Sequence, residues 1–290
     1  MPAAAKPDWE RDGEGWPNRG SSRFVAAAGL RWHVQVEGSG PVLLLVHGTG
    51  AATHSWRDLL PLLAASFTVV APDLPGHGFT ATPGSAGLSL PGMAAGLAAL
   101  LRALGLSPAL AAGHSAGAAI LARMCLDGTI APGRLVALNG AMAPLRGAPA
   151  HLFSPLAKLV AGVPAVPRFF AWRAGDPAMV RGLLQATGSV IDPAGTAQYA
   201  RLARSPGHVA GALGMMANWD LRALARDLPR LATPLTLVVG GRDRTIPPAE
   251  AERVRALVPS AELVALPRLG HLAHEEQPAR VAALIRERAP

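Results

Sequence analysis

Three residues far apart in the chain could form one acyl-transfer centre: Ser115, Asp243 and His271. Ser115 lies in Gly113-His114-Ser115-Ala116-Gly117, between a run predicting a strand (110–114) and one predicting a helix (116–126). A turn this tight needs small flanking residues, and it lifts the hydroxyl above a sheet edge at a helix N-terminus. Alone the pattern is weak, because any Gly-rich strand-to-helix turn can match it. A serine also needs a base, and the base needs an orienting acid. Asp243 follows the apolar run 235–239, and His271 follows the run 262–266. Each residue thus falls past the carboxyl end of a predicted strand, in the order Ser, Asp, His, on the edge where parallel sheets place their sites. A fourth element is His47-Gly48-Thr49-Gly50, after the apolar run 42–46. Acyl transfer needs N–H donors for the developing oxyanion, and the amides of Thr49 and Ala116 are the natural pair. Gly48, His114, Trp172 and Trp219 are further candidates for the pocket.

These positions require a sheet to hold them. Strands are expected at 31–36, 42–46, 67–71, 110–114, 134–139, 235–239 and 262–266, and helices at 53–65, 88–104, 116–126, 248–257 and 278–287. Short all-apolar runs ending at glycine are typical of buried parallel strands. Alternation with helices predicts an α/β fold with a mostly parallel, doubly wound sheet. Residues 141–231 break the rhythm: they contain no convincing strand, and proline and glycine punctuate helical segments. The expected organisation is an irregular N-terminal arm (1–22), a core (23–140 and 232–290) and an inserted helical cap (141–231).

Composition narrows the function classes. Of 290 residues, 50% are apolar and 16% charged, which excludes a disordered chain. The single cysteine, Cys125, excludes an internal disulfide framework and a multi-Cys zinc site, and reads as a packing residue. Net charge is +8, carried by two lysines, Lys6 and Lys158, and 25 arginines. No run of five basic residues supports nucleic-acid binding. Neither lysine follows a glycine, so there is no Walker loop, and no cofactor is expected. The N-terminus lacks the apolar region of a secretory signal, and the stretch 106–122 is interrupted by Pro108, His114 and Ser115, a poor membrane span. A cytoplasmic location is the default.

Several groups have plainer readings. His47, His77 and Asp73 sit in tight turns and read as loop supports. His274 is a competing base, or a metal partner of His271 with Glu275 and Glu276, but no third cluster of ligands is visible. Residues 141–232 carry ten basic residues, among them Arg146, Lys158, Arg168, Arg173 and Arg201, against four aspartates. With Phe153, Phe169, Phe170, Trp172, Tyr199, Met215, Met216 and Trp219, they could receive a large flat ligand with carboxylates, such as a porphyrin. The plainer alternative is a solvated outer face whose aromatics pack the cap on the core.

His47-Gly48, Asp73-Leu74-Pro75-Gly76-His77-Gly78, Gly113-His114-Ser115-Ala116-Gly117, Gly241-x-Asp243-x-x-x-Pro247 and Gly270-His271 together resemble the α/β-hydrolases over about 250 residues. The resemblance implies the α/β-hydrolase fold and hydrolysis of an ester-like or related acyl bond. An aspartate nucleophile, as in dehalogenase-like members, is disfavoured because Ser115 occupies the turn. The opening Trp9…Gly15-Trp16-Pro17-Asn18…Ser22-Arg23-Phe24-Val25 resembles the hydrolase-like accessory proteins linked to magnesium chelatase in bacteriochlorophyll biosynthesis. That resemblance implies a role in magnesium insertion, chelatase subunits as partners, and a cytoplasmic location with the periphery of the photosynthetic membrane as an alternative. A non-catalytic accessory protein that binds porphyrin or docks on chelatase remains the second reading.

Overall fold

Apolar runs too short for helices build the centre of the molecule. In the computed structural model, which describes residues 5–145, 163 and 165–289, they form a sheet of eight strands. The strands are β1 (Ser22–Ala27), β2 (Leu30–Glu37), β3 (Val42–Val46), β4 (Thr68–Pro72), β5 (Leu110–His114), β6 (Arg134–Leu138), β7 (Leu235–Gly240) and β8 (Glu262–Leu266). Their order is β1-β2-β4-β3-β5-β6-β7-β8. β1 and β2 join antiparallel, as do β2 and β4, and every later pairing is parallel. The carboxyl ends of β3, β5, β7 and β8 therefore share one edge.

β1 was expected in part as arm. It is a hairpin strand, closed by Ala28 and Gly29 with φ of 51° and 72°. Both turn residues are left-handed, the geometry that matches strand twist. Alanine in place of the usual Asn or Asp at the first position hides this turn in the sequence. The arm before it contains a short helix, α1 (Trp9–Asp12), N-capped by Asp8.

Helices cover both faces. α2 (Leu59–Ala64) and α12 (Pro278–Arg286) pack on one face, over Leu43, Leu45, Val69, Ala112, Val136 and Val238. α3 (Leu90–Leu104) and α4 (Ala116–Leu126) cover the other, over Leu44, Val46, Val70, Ala111 and Leu135. α3 starts at Ser89, whose side chain caps Gly92 N–H, and stops at Gly105, left-handed at φ 66°. α10 (Pro248–Leu257) and α11 (Ala273–Glu276) complete the core helices. The expected helix 53–65 divides into a 3₁₀ turn, Thr53–Trp56, and α2.

Between β6 and β7 lie α5 (Ala165–Arg173), α6 (Pro177–Ala186), α7 (Pro193–Ala203), α8 (Pro206–Ala217) and α9 (Arg222–Asp227). Arg146, Phe153 and Lys158 lie outside the described residues. Leu221, Leu224, Leu228 and Leu231 join the core cluster that α4 covers, as does Met215 of α8. α8 reaches the core at bare backbone, because a Cβ on Gly211 would strike the carbonyl oxygen of Gly76. Among the described residues, no helix is long and apolar enough to cross a membrane.

Glycine is forced where α4 passes β3. A Cβ on Gly117 would strike the carbonyl oxygens of Val46 and His47, whereas one on Gly182, inside α6, meets nothing within 4 Å. Gly117→Ala is expected to cost about 2–3 kcal/mol, roughly 3–5 °C in Tm. Gly182→Ala should instead stabilise by about 0.5–1 kcal/mol through lower chain entropy in the unfolded state. Differential scanning calorimetry on the two variants checks the contrast.

Candidate functional site

Strand β5 runs into Ser115 with no room for a gradual turn. Ser115 takes φ 51° and ψ −117°, and α4 starts at the next residue. Such a backbone is strained for a residue with a Cβ and persists only where the surroundings over-determine it. Here the Ser115 N–H donates to the Leu138 carbonyl (3.0 Å), and the Ser115 carbonyl accepts from Ala118 N (3.2 Å) and Ala141 N (3.0 Å). A Cβ on Gly113 would collide with the backbone of Gly117 and Ala118, so the flanking glycines follow from the turn. Ser115 itself is only partly buried, at the head of α4. The first amides of a helix have no intrahelical acceptor, and Ala116 N–H is one of them.

Asp243 and His271 meet as their spacing suggested. His271 Nδ1 donates to Asp243 Oδ2 at 2.8 Å, and both side chains are buried. Asn139 Nδ2 donates to the same oxygen (2.8 Å), while the amides of Thr245 and Ile246 donate to Oδ1 (2.8 Å each). Four donors leave the carboxylate no freedom to turn. The His271 loop is held in its turn by Glu276, which accepts from Gly270 N (2.7 Å), and by Ser189, which accepts from Leu272 N (2.8 Å). His114 Nε2 donates to the His271 carbonyl (2.9 Å), and the two rings lie 4.6 Å apart. His114, next to the serine in sequence, therefore ties the Ser115 turn to the His271 loop. Burial, reinforced by His274 and His271, pushes its imidazole well below the usual range, so it stays neutral.

The loop after β3 completes the edge. Gly48 packs against His114 and Ser115 so closely that a Cβ there would press on both side chains. Thr49 is partly buried, and its hydroxyl contacts Met215 Sδ of α8 at 3.4 Å. His47 supports this loop from below: its Nδ1 donates to the Gly48 carbonyl (2.8 Å) and its Nε2 accepts from Leu74 N (2.9 Å). Asp73 accepts from Thr53 N (2.7 Å), Phe79 N (2.9 Å) and His33 Nδ1 (2.8 Å). Burial alone would raise the Asp73 carboxyl, but the charge and hydrogen bond of His33 and the Phe79 amide outweigh it and hold it well below the usual range. Both residues act as loop supports.

His274 is occupied elsewhere. Its Nε2 lies 2.8 Å from Ser55 Oγ, whose hydroxyl donates to Glu275 Oε1 at 2.7 Å. Burial pushes the His274 imidazole down to about 3. Glu275 also accepts from Tyr199 (2.6 Å) and Arg57 (2.9 Å), and Arg57 reaches Asp192, the N-cap of α7 (3.1 Å). Burial still pushes the Glu275 carboxyl up to about 7. Glu276 is engaged with the Gly270 amide, so both acids suggested as metal partners of His271 and His274 serve the packing instead. Burial also raises the Cys125 thiol to about 11, which fits a packing residue.

Two pocket candidates separate. Trp219 is partly buried against the core cluster. Trp172 is 70% exposed on α5, facing solvent. The reason is that α5 turns its small residues inward. Sequence reasoning missed Asn139, His208 and Lys6. Asn139 stands at the end of β6 with φ 48°, and a polar residue at a strand's carboxyl end was its visible signal. His208 accepts from Gly78 N (3.0 Å) and donates to the Gly50 carbonyl (3.1 Å), which joins α8 to both site loops. Lys6 had no signal. The arm passes the start of α8, where Ala5 accepts from Gly207 N (2.8 Å) and Ser205 Oγ (3.0 Å). It buries the Lys6 ammonium among Asp73, His47 and His208 without a hydrogen-bond partner.

The alpha/beta hydrolase family model matches residues 43–284. The magnesium-chelatase 30 kDa subunit of Rhodobacter capsulatus is 40% identical over 266 residues, covering 90% of this chain and 91% of that one. Haloalkane dehalogenase 2 of Mycobacterium bovis is 29% identical, with 92% and 94% of the two chains covered. Among solved structures, an alpha/beta hydrolase fold protein from Burkholderia ambifaria superposes with a TM-score of 0.76 at 25% identity, covering 92% of this chain and 100% of that one. The meta-cleavage product hydrolase of Pseudomonas fluorescens IP01 does so at 0.74 and 22%, over 91% and 96% of the chains, a likeness of fold alone.

Desolvation lowers Lys6 to about 7, although Asp73 pulls it upward, from an ordinary value of 10.5. Between those values the undocked arm binds the extra proton. Docking of the arm must therefore strengthen as pH rises from 7 to about 10, and level off below 7. The Tm difference between the wild type and Lys6→Met measures this: Met should be the more stable form near pH 7, with the gap closing towards pH 10.

Proposed function

The chain belongs to the alpha/beta hydrolase family, and we propose that it is a serine hydrolase in which Ser115, His271 and Asp243 act together on an ester-like or related acyl bond. The observation that carries the reading is the 2.8 Å bond from His271 Nδ1 to a carboxylate that four donors immobilise, on the sheet edge where Ser115 stands. With Nδ1 committed to Asp243, the proton-accepting nitrogen of His271 is Nε2. Ser115 Oγ attacks the carbonyl carbon, His271 Nε2 takes the hydroxyl proton, and Asp243 stabilises the imidazolium that results. The amides of Thr49 and Ala116 receive the oxyanion. Collapse of the tetrahedral intermediate passes the proton to the leaving group and leaves an acyl-serine. Water, activated by the same Nε2, then releases the acid. Gly48 and His114 form the floor, and Met215 borders the site from α8.

The 40% identity to a magnesium-chelatase 30 kDa subunit supports a second, compatible reading. In it the chain serves bacteriochlorophyll biosynthesis as an accessory that docks on chelatase subunits or binds a porphyrin, with or without turnover. Its place of work is then the cytoplasm or the periphery of the photosynthetic membrane.

Fluorophosphonate labelling separates a reactive serine from an inert one. Wild type should label and Ser115→Ala should not, with ester hydrolysis lower by at least about 10³-fold in that variant. Asp243→Asn should lose about 10⁴-fold by favouring the wrong tautomer. Absence of wild-type labelling would remove the hydrolytic reading. For the accessory role, wild type and Ser115→Ala should co-elute with chelatase subunits or shift protoporphyrin absorbance equally. An absence of both effects removes that reading.

A further inference from the structure

We infer that helix α5 is a docking face for an anionic lipid surface. Its polarity is inverted relative to a helix that packs a core. The residues it turns inward are small, Pro167 and Ala171, followed by Ala174, while Phe169, Phe170 and Trp172 face solvent at 56%, 42% and 70% exposure. At 3.6 residues per turn, Phe169 and Trp172 fall side by side at the centre of the outer face, with Arg168 on one flank and Arg173 on the other. Both arginines are exposed. The aromatic rings contact one another, at 5.9 Å between Phe169 and Phe170 and 5.9 Å between Phe169 and Trp172, and Arg173 lies over Trp172 at 5.9 Å.

This arrangement distinguishes the occupant. A soluble protein rarely leaves three adjacent aromatics in water unless something covers them. The helix contains no acidic residue, and its flanking cations have no ion-pair partner among the described residues. A second copy of this chain would set arginine against arginine across a two-fold contact. A bilayer rich in anionic headgroups meets both demands, because rings enter the interface while guanidinium groups stay at the phosphate level. The inference does not depend on the chemistry at Ser115.

The probes are unilamellar vesicles of phosphatidylglycerol with phosphatidylcholine and vesicles of phosphatidylcholine alone, in a co-sedimentation assay with the full chain. Wild type should pellet with the anionic vesicles at low salt and be released as ionic strength rises to about 1 M. Phe169→Ser/Trp172→Ser and, separately, Arg168→Glu/Arg173→Glu should each weaken partitioning by about tenfold or more. Their Tm should stay at the wild-type value, since the altered side chains face water. Equal binding to neutral vesicles, no binding of wild type, or unaltered binding by the two double variants would overturn the proposal. So would a concentration-dependent dimer in sedimentation velocity that the aromatic variant abolishes, which would assign the face to a second copy.

Discussion

The geometry of the site depends on how firmly Asp243 is held. A carboxylate beside an imidazole orients it only if the carboxylate cannot rotate. The turn after β7 supplies two backbone amides to one oxygen, and Asn139 from the neighbouring strand β6 supplies a third donor to the other. His271 then has a single low-energy way to face the sheet edge. The neighbouring elements serve the same end: Glu276 and Ser189 shape the His271 loop, and His114 reaches across from the Ser115 turn to its backbone. The contacts of Asn139 with Asp243 and of His114 with the His271 backbone join residues more than a hundred apart, so they require the parallel sheet to bring its carboxyl ends to one edge.

Burial governs the polar groups around that edge. His47, His54, His77, His114, His208 and His274 lie within the protein, and burial lowers each imidazole below its ordinary range. Kept neutral, a ring offers one donor and one acceptor, and His47 and His208 use both: His47 sets the Gly48 loop, and His208 joins α8 to the loops of Gly50 and Gly78. A charged lysine or arginine at such positions would demand a counter-ion the surroundings lack. Asp73 already shows what that requires, since His33 and two backbone amides are committed to it.

How much of this was legible in the sequence follows from the range of each interaction. The placement of Ser115, Asp243 and His271 past strand ends was readable because their neighbours are local consequences of the fold: small residues at a tight turn, apolar strands, and glycine where the chain leaves a strand. The α/β architecture and the parallel strands were readable for the same reason. β1 was not, because its turn uses Ala28 where a hairpin signal normally has Asn or Asp. Asn139 and Lys6 act through partners about 100 and 70 residues away, and no local pattern marks such a contact.

Composition does not say where the residues between β6 and β7 place their charge. Their surplus of arginine and aromatic residues suggested an interior for a flat, acidic ligand. The structure distributes those residues among separate tasks. Arg201 donates to the carbonyls of Asp12 and Glu14 and fastens α7 to the arm, while Trp16 and Leu202 pack together beside that contact. Arg222 pairs with Asp220, and Arg226 lies 3.6 Å from Asp227. Tyr199 and Asp192 lock α7 to the core through Glu275 and Arg57. One side of the cap is thus tied to both the arm and the sheet. Phe169, Phe170, Trp172, Arg168 and Arg173 face outward together on α5. Much of the excess charge is thus carried at the surface, while beside Ser115 the Thr49 hydroxyl meets the thioether of Met215 and the neutral His114 imidazole lies against Gly48.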